Sequence, residues 1–214
     1  GSKDYQRLIY EGLRKSRVPL SNPKYISDEE AEMYNTDWQN EIFRTAPTFN
    51  AIVNASGAKD NSSYFISAGY NKVDGTVIGT TFDRYSFNAN TDVTLGRITL
   101  GGSVIANYSN GTRQKNNSGQ TSVESNATTG PSVISAALQS SPVYPVYDSL
   151  GNYAYDSRNR GIPNPVMLAN ERSLTYDETR MILSSFLDIV IVKNLIFKTQ
   201  LGADISSLKE NYFW

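Results

Sequence analysis

The sequence predicts a mainly β protein. It reads as an antiparallel meander of about six strands forming part of a large transmembrane β-barrel, with short helices in the N-terminal segment and in one long loop. Three observations carry this. Residues 84–93 place Tyr85, Phe87, Ala89, Thr91 and Val93 on one side of an extended chain and Arg84, Ser86, Asn88, Asn90 and Asp92 on the other, because side chains alternate across a strand. Segment after segment repeats the pattern at about the ~10-residue length of a tilted strand crossing a bilayer. The chain is nevertheless polar, with 39% hydrophobic residues and a mean hydropathy of -0.42. A barrel accommodates this, since half of each strand faces a wet lumen.

Residues 1–46 are the least strand-like. Tyr5, Leu8, Ile9 and Leu13 fall at helical spacing, and Pro19 and Pro23 interrupt the chain beyond them. Ser27 with Glu30 three residues on is a capping box that opens a short helix containing Ala31 and Met33. Four strands occupy residues 47–108. Phe49, Ala51, Val53 and Ala55 alternate in the first, and a turn comes at Lys59-Asp60-Asn61. Tyr64, Ile66, Ala68 and Tyr70 alternate in the second, which ends at the hairpin-type dipeptide Asp74-Gly75. The third is the segment already described; a turn near Leu95-Gly96 leads to the fourth, with Ile98, Leu100, Gly102, Val104, Ala106 and Tyr108 on one face.

Residues 109–177 read as a long loop. Asn110–Gly130 is rich in Asn, Ser, Thr and Gly. Pro131–Leu138 suits a short helix, Tyr144–Tyr155 a small hairpin turning at Leu150-Gly151, and Pro163 and Pro165 irregular chain. Residues 178–214 supply two last strands. The first alternates poorly, with Ile182, Phe186 and Val190 on its inner face; the second is clean, with Leu195, Phe197, Thr199, Leu201, Ala203 and Ile205 on one side. Barrels carry short turns on the periplasmic side and long loops outside. Parity then puts the long loop, Asp74-Gly75 and the end of residues 1–46 outside, and the turns at 59–61, Gly96 and Lys193-Asn194 inside.

Composition excludes several chemistries. The chain has no Cys and no His, so thiolate metal sites, cysteine nucleophiles and Ser-His triads are out of reach. No catalytic residues are assigned, no cofactor is expected, and no metal site: Asp148, Asn152 and Asp156 lack the spacing of a calcium loop. The net charge of -1 makes no case for nucleic acid.

Thr36-Asp37-Trp38-Gln39-Asn40-Glu41-Ile42-Phe43-Arg44-Thr45-Ala46-Pro47 resembles a segment "TDWQDEIFRTAP" of the SusC/RagA-type TonB-dependent outer-membrane transporters of the Bacteroidetes. Tyr64–Tyr70 resembles their "YFVSGGY", and Asp74-Gly75 through Ser86 their "DGIVIGSDFKRYSF", in the same order. The resemblance implies a place in the bacterial outer membrane, within a plugged barrel of roughly 22 strands. It implies a SusD-like lipoprotein and the TonB system as partners, outer-membrane lipid around the barrel, and an oligosaccharide or peptide as substrate. It also implies an internal stretch of such a protein, the part of the barrel after the plug.

The candidates for contact with ligand or partner are Trp38, Phe43, Tyr144, Tyr147, Tyr153 and Tyr155; anchoring an outer loop is the stronger reading of Trp38 and Phe43, and the four tyrosines are equally suited to bracing their own hairpin. Arg84, Asn88, Asn90 and Asp92 are expected to face the lumen. A second reading stays open: a soluble β-sandwich-like glycan-binding or adhesin domain, in which the apolar rows meet a second sheet.

Overall fold

The computed structural model describes residues 1–114, 132–156, 158 and 162–213. Six strands form one antiparallel sheet in sequence order: β1 (Thr48–Lys59), β2 (Ser62–Asp74), β3 (Thr81–Leu95), β4 (Ile98–Arg113), β5 (Ser173–Val192) and β6 (Leu195–Phe213). Three two-residue turns, Asp60-Asn61, Gly96-Arg97 and Lys193-Asn194, lie at one end. Each is made possible by a residue at positive φ: Asp60 at 49°, Gly96 at 62° and Asn194 at 71°. The β2–β3 and β4–β5 connections lie at the other end, with residues 1–47 leading into β1 there, so the parity expected from the sequence holds. The turns are stepped: in register, the β3–β4 turn begins two residues beyond the β1–β2 turn, and the β5–β6 turn five beyond it.

Register aligns the alternating residues into rows across all six strands. On one face Val53, Ala68, Phe87, Ala106, Met181 and Ile205 form a wholly apolar row, and Ala55, Ile66, Ala89, Val104, Leu183 and Ala203 form the next. Toward the loop end these rows give way to Tyr70, Tyr85 and Tyr108, whose neighbouring rings lie 4.9 and 6.2 Å apart, with Phe49 6.1 Å from Tyr70. Beyond them comes a row that is polar from β2 to β6, Lys72, Asp83, Asn110, Asp177 and Lys209, with Phe49 at its β1 end. Tyr70 and Tyr108 donate to Asp83 and Asp177 at 2.6 and 2.7 Å, so the phenols point from the apolar band toward that row. The band itself is bare: Val53 is 74% exposed, Leu201 73% and Phe87 43%. Among the described residues no second sheet covers it, which removes the sandwich core on which the second reading depends.

The opposite face is polar and cross-linked. Arg180 grips Asp204 through two contacts of 3.1 and 2.6 Å, Lys198 meets Asp188 at 3.1 Å, and the Ser103 and Ser184 hydroxyls share a 2.7 Å bond. The Ser63 hydroxyl donates to Asp92. Ile182 and Phe186 of β5 stand on this polar face, and the β5 alternation is weak for that reason.

Five short helices stand at the loop end: α1 (Ser2–Lys15), α2 (Asp28–Met33), α3 (Trp38–Ile42), α4 (Val133–Gln139) and α5 (Pro165–Glu171). None of them is long and apolar enough to cross a membrane. Several elements differ from the sequence expectation. β4 continues to Arg113 and β5 begins at Ser173, because Asn110–Arg113 pair with Leu174–Asp177 despite their polarity. The remainder of the expected polar loop, 115–131, lies outside the described residues, as does Trp214. Pro165 starts a helix instead of irregular chain. It sits in the first turn, where its missing N–H costs nothing, and the Asn164 side chain accepts from Val166 and Met167.

Candidate functional site

The helical head is built from segments far apart in sequence. Asp37 caps α3, its carboxylate accepting from the Gln39 and Asn40 amides at 3.2 Å. That cap turns Trp38 and Ile42 inward, one helical turn apart, against Val133, Ala136 and Ala137 of α4 and Val166, Leu168 and Ala169 of α5. The Trp38 indole N–H donates to the Ser141 carbonyl at 2.8 Å, and its ring lies 4.8 Å from that of Tyr144. Thr36 donates its hydroxyl to the Tyr144 carbonyl at 2.6 Å. Val77 and Ile78 of the β2–β3 connection join the same core. Arg44 holds that connection through the Gly75 and Thr80 carbonyls at 3.1 and 3.4 Å. Gly79, at φ 76°, lets α5 approach, since a Cβ there would collide with the Ala169 carbonyl.

The candidate residues separate accordingly. Trp38 is 3% and Tyr144 7% exposed, so both are spent on the head's interior and offer no ring to a ligand; burial also pushes the Tyr144 phenol pKa up. Phe43 is exposed and bridges to Val77. Tyr147 and Tyr153 pair across the small hairpin, ring centroids 5.2 Å apart, and Asn170 donates to the Tyr153 hydroxyl at 3.2 Å. Tyr155 is exposed beside them. The hairpin turn is closed by Asp148, whose carboxylate accepts from the Leu150 and Asn152 amides, each at 2.9 Å. The Asn152 amide, with that of Leu150, holds its pKa below the usual carboxylate range. Its oxygens are thus committed to the turn, and the Asp156 carboxylate is committed to Arg158 at 3.1 Å. Arg84, Asn88, Asn90 and Asp92 all stand on the polar face of β3.

A latch ties α2 to the far side of the hairpin. Ser27 caps α2 with both capping-box bonds, donating its amide to Glu30 at 2.9 Å and accepting from the Glu30 amide at 3.1 Å. Glu30 also receives Arg158 at 3.0 Å. The Ser27 amide, and then the Arg158 guanidinium, hold the Glu30 carboxyl below its ordinary value. A depressed carboxyl pKa contributes stability that is fully present above the ordinary value of 4.5 and lost as pH falls through the lower folded value. Hydrogen exchange of α1 and α2 is therefore expected to accelerate in that acid window relative to the sheet, and Glu30→Gln is expected to show the faster exchange already at neutral pH.

The wider comparisons agree with the architecture. No family model matches the chain. TonB-dependent receptor P3 of Formosa agariphila is 33% identical over 174 residues, covering 78% of this chain and 16% of that protein. TonB-dependent receptor P26 of the same organism is 27% identical over 183 residues, covering 84% and 17%. TonB-dependent receptor SusC of Bacteroides thetaiotaomicron is 29% identical over 121 residues, covering 56% and 11%. The chain thus spans about a sixth or less of the length of the curated relatives it matches. Among solved structures, that of the RagAB peptide transporter is similar with a TM-score of 0.64 at 23% identity, over 84% of this chain and 20% of that one. The RagAB peptide importer in its 'closed-closed' state gives 0.65 over the same shares. Ordered motifs, a six-stranded meander with a bare apolar band, and relatives in both sequence and fold converge: the chain belongs to the TonB-dependent receptors of the SusC/RagA type.

Proposed function

We propose that this chain forms part of the wall of an outer-membrane importer, with the apolar rows against lipid, the polar face against the lumen and the helical head on the outer side. The observation that carries the proposal is the sequence of rows on one face: two wholly apolar rows, then the tyrosine row, then the polar row. That is the order a barrel wall needs in passing from hydrocarbon through the aromatic girdle to water. The exposed Phe43, Tyr147 and Tyr155, with the half-buried Tyr153, then face outward, where a SusD-like lipoprotein docks and an oligosaccharide or peptide arrives. Import is driven through the TonB system, and the chain performs no chemistry on its cargo.

The chain contains no Cys, so single cysteines introduced into it, read against the receptor without them, report accessibility cleanly. In outer membranes carrying the intact receptor, Asn88→Cys and Asn90→Cys are expected to react with a water-soluble maleimide, while Phe87→Cys and Ala89→Cys stay protected by lipid. Protection of the asparagine positions together with reaction at Phe87 and Ala89 would reverse the two faces and end the proposal. Equal reaction at all four would end it too.

A further inference from the structure

Lumen-side cations of the sheet are paired with carboxylates, with one exception among the described residues. Arg180 has Asp204, Lys198 has Asp188, and Arg113 has Glu210 at 3.9 Å. Arg84 has no carboxylate partner. Its Nε donates weakly to the Ser109 hydroxyl at 3.4 Å, and its guanidinium lies 5.0 Å from the centre of the Phe82 ring, leaving the terminal amino groups to solvent.

The surroundings of Arg84 are donor-rich. Its row on the polar face runs Asn50, Asn71, Arg84, Ser109 and Glu178. The Asn50 and Asn71 amides make no hydrogen bond within the described residues. Glu178 lies two strands away, roughly 10 Å at the usual strand spacing, and stands beside Arg180, which already carries its own bidentate carboxylate. The row sits one residue beyond the tyrosine row toward the loop end of the wall. A solute passing the head therefore meets it early.

We propose that Arg84, with Asn71 beside it, is a specificity-determining station that receives a carboxylate of the imported solute at the outer mouth of the lumen. The proposal rests on the reading of the polar face as the lumen wall. A fork of unpaired guanidinium N–H groups matches a carboxylate geometrically, and the neighbouring Asn71 side-chain amide can donate to the same oxygens. Among the described residues nothing across the sheet competes for that cation, which leaves its charge available to a solute.

The test uses the intact receptor in outer membranes with Asn71→Cys, beside Arg84, as the reporter. Its reaction with carboxyethyl methanethiosulfonate is compared with that of the neutral carboxamide analogue. The ratio of the two rates cancels any effect of Arg84 on the thiol itself. The carboxylate reagent is expected to react roughly tenfold faster, the size of one charge-assisted hydrogen bond. Adding Arg84→Gln should bring the ratio to near unity, and adding Arg84→Lys should keep part of the preference. Heat-modifiable mobility on gels checks that each variant still folds. No preference at all, or one that survives Arg84→Gln, overturns the proposal.

Two protection arms identify the carboxylate's source: an uncharged-side-chain hexapeptide against its C-terminal amide, and an oligouronate against its carboxyl-reduced form. Protection by the acid of either pair alone supports the assignment and names the cargo class. Protection by neither acid, or equally by acid and neutral forms, overturns it. Failure of the lumen-wall reading shows separately, as the reversed maleimide pattern at residues 87–90.

Discussion

Replacement of Trp38 by alanine is expected to dismantle the helical head while leaving the sheet intact. The side chain is 3% exposed, packs against α4 and α5, and lies on Tyr144. Truncating a buried tryptophan costs about 3–5 kcal/mol through lost burial and the cavity left behind. The Ser141 carbonyl loses its donor as well, and Ser141 is itself 1% exposed, so a buried acceptor is left unpaired. Hydrogen exchange of α3, α4 and α5 is expected to rise toward unprotected rates, while β1–β6 keep their protection. Trp38→Phe separates the two contributions: it restores most of the packing but not the indole donor, and should recover more than half of the loss. A sheet that unfolds together with the head in Trp38→Ala would show that the two are one cooperative unit.

The second large effect comes from neighbouring residues on opposite faces. Ala89 lies mid-band on the bare apolar face, and Asn90 lies on the polar face. Ala89→Arg places a guanidinium midway along the apolar band, which the proposed lipid-facing orientation puts near the bilayer centre, and is expected to cost about 2–4 kcal/mol. Asn90→Arg puts the same charge on the polar face, the lumen side in the proposed orientation, where it can be solvated or met by Asp92, and is expected to change stability by less than about 1 kcal/mol. Unfolding in urea from phospholipid vesicles measures both. Equal penalties would mean that the two faces meet the same medium.

The strands were legible because one physical constraint, a single apolar face, stamps period two on every crossing. Even β5 obeys it once Ile182 and Phe186 are accepted on the polar face, against Ile105 and Gly101 of β4. Three turns were legible for a separate reason, since each needs a residue that tolerates positive φ and each carries Gly, Asn or Asp. The α2 cap could be read because its two partners are three residues apart.

The head was not legible. Its core joins Trp38, Ile42, Val77, Ala136, Tyr144 and Leu168 from five segments, each too short to show a period. Nothing local distinguishes Tyr144, which is buried, from Tyr147, which is exposed. What decides between them is that Tyr144 lies within reach of Trp38, a contact 106 residues apart in the chain. The isolation of Arg84 was equally invisible, because its missing partner is a property of register: Ser109 and Asn71 stand opposite it, where a carboxylate would have closed the pair.

The stepping of the turns has a geometric consequence. Five residues of displacement over four strands, at ~3.3 Å per residue along a strand and ~4.8 Å between strands, set the line joining the turns at about 40° to the perpendicular of the strands. If that line runs along the rim of a cylinder, the angle is the inclination of the strands to its axis, within the range that closed transmembrane sheets require. The ten residue-to-residue steps from Tyr85 to Leu95 then rise about 25 Å along the axis, which is the thickness of an outer-membrane hydrocarbon layer. The slant of six strands and the height of the belt they present to hydrocarbon are thus fixed by the same quantity, where each hairpin chooses to reverse.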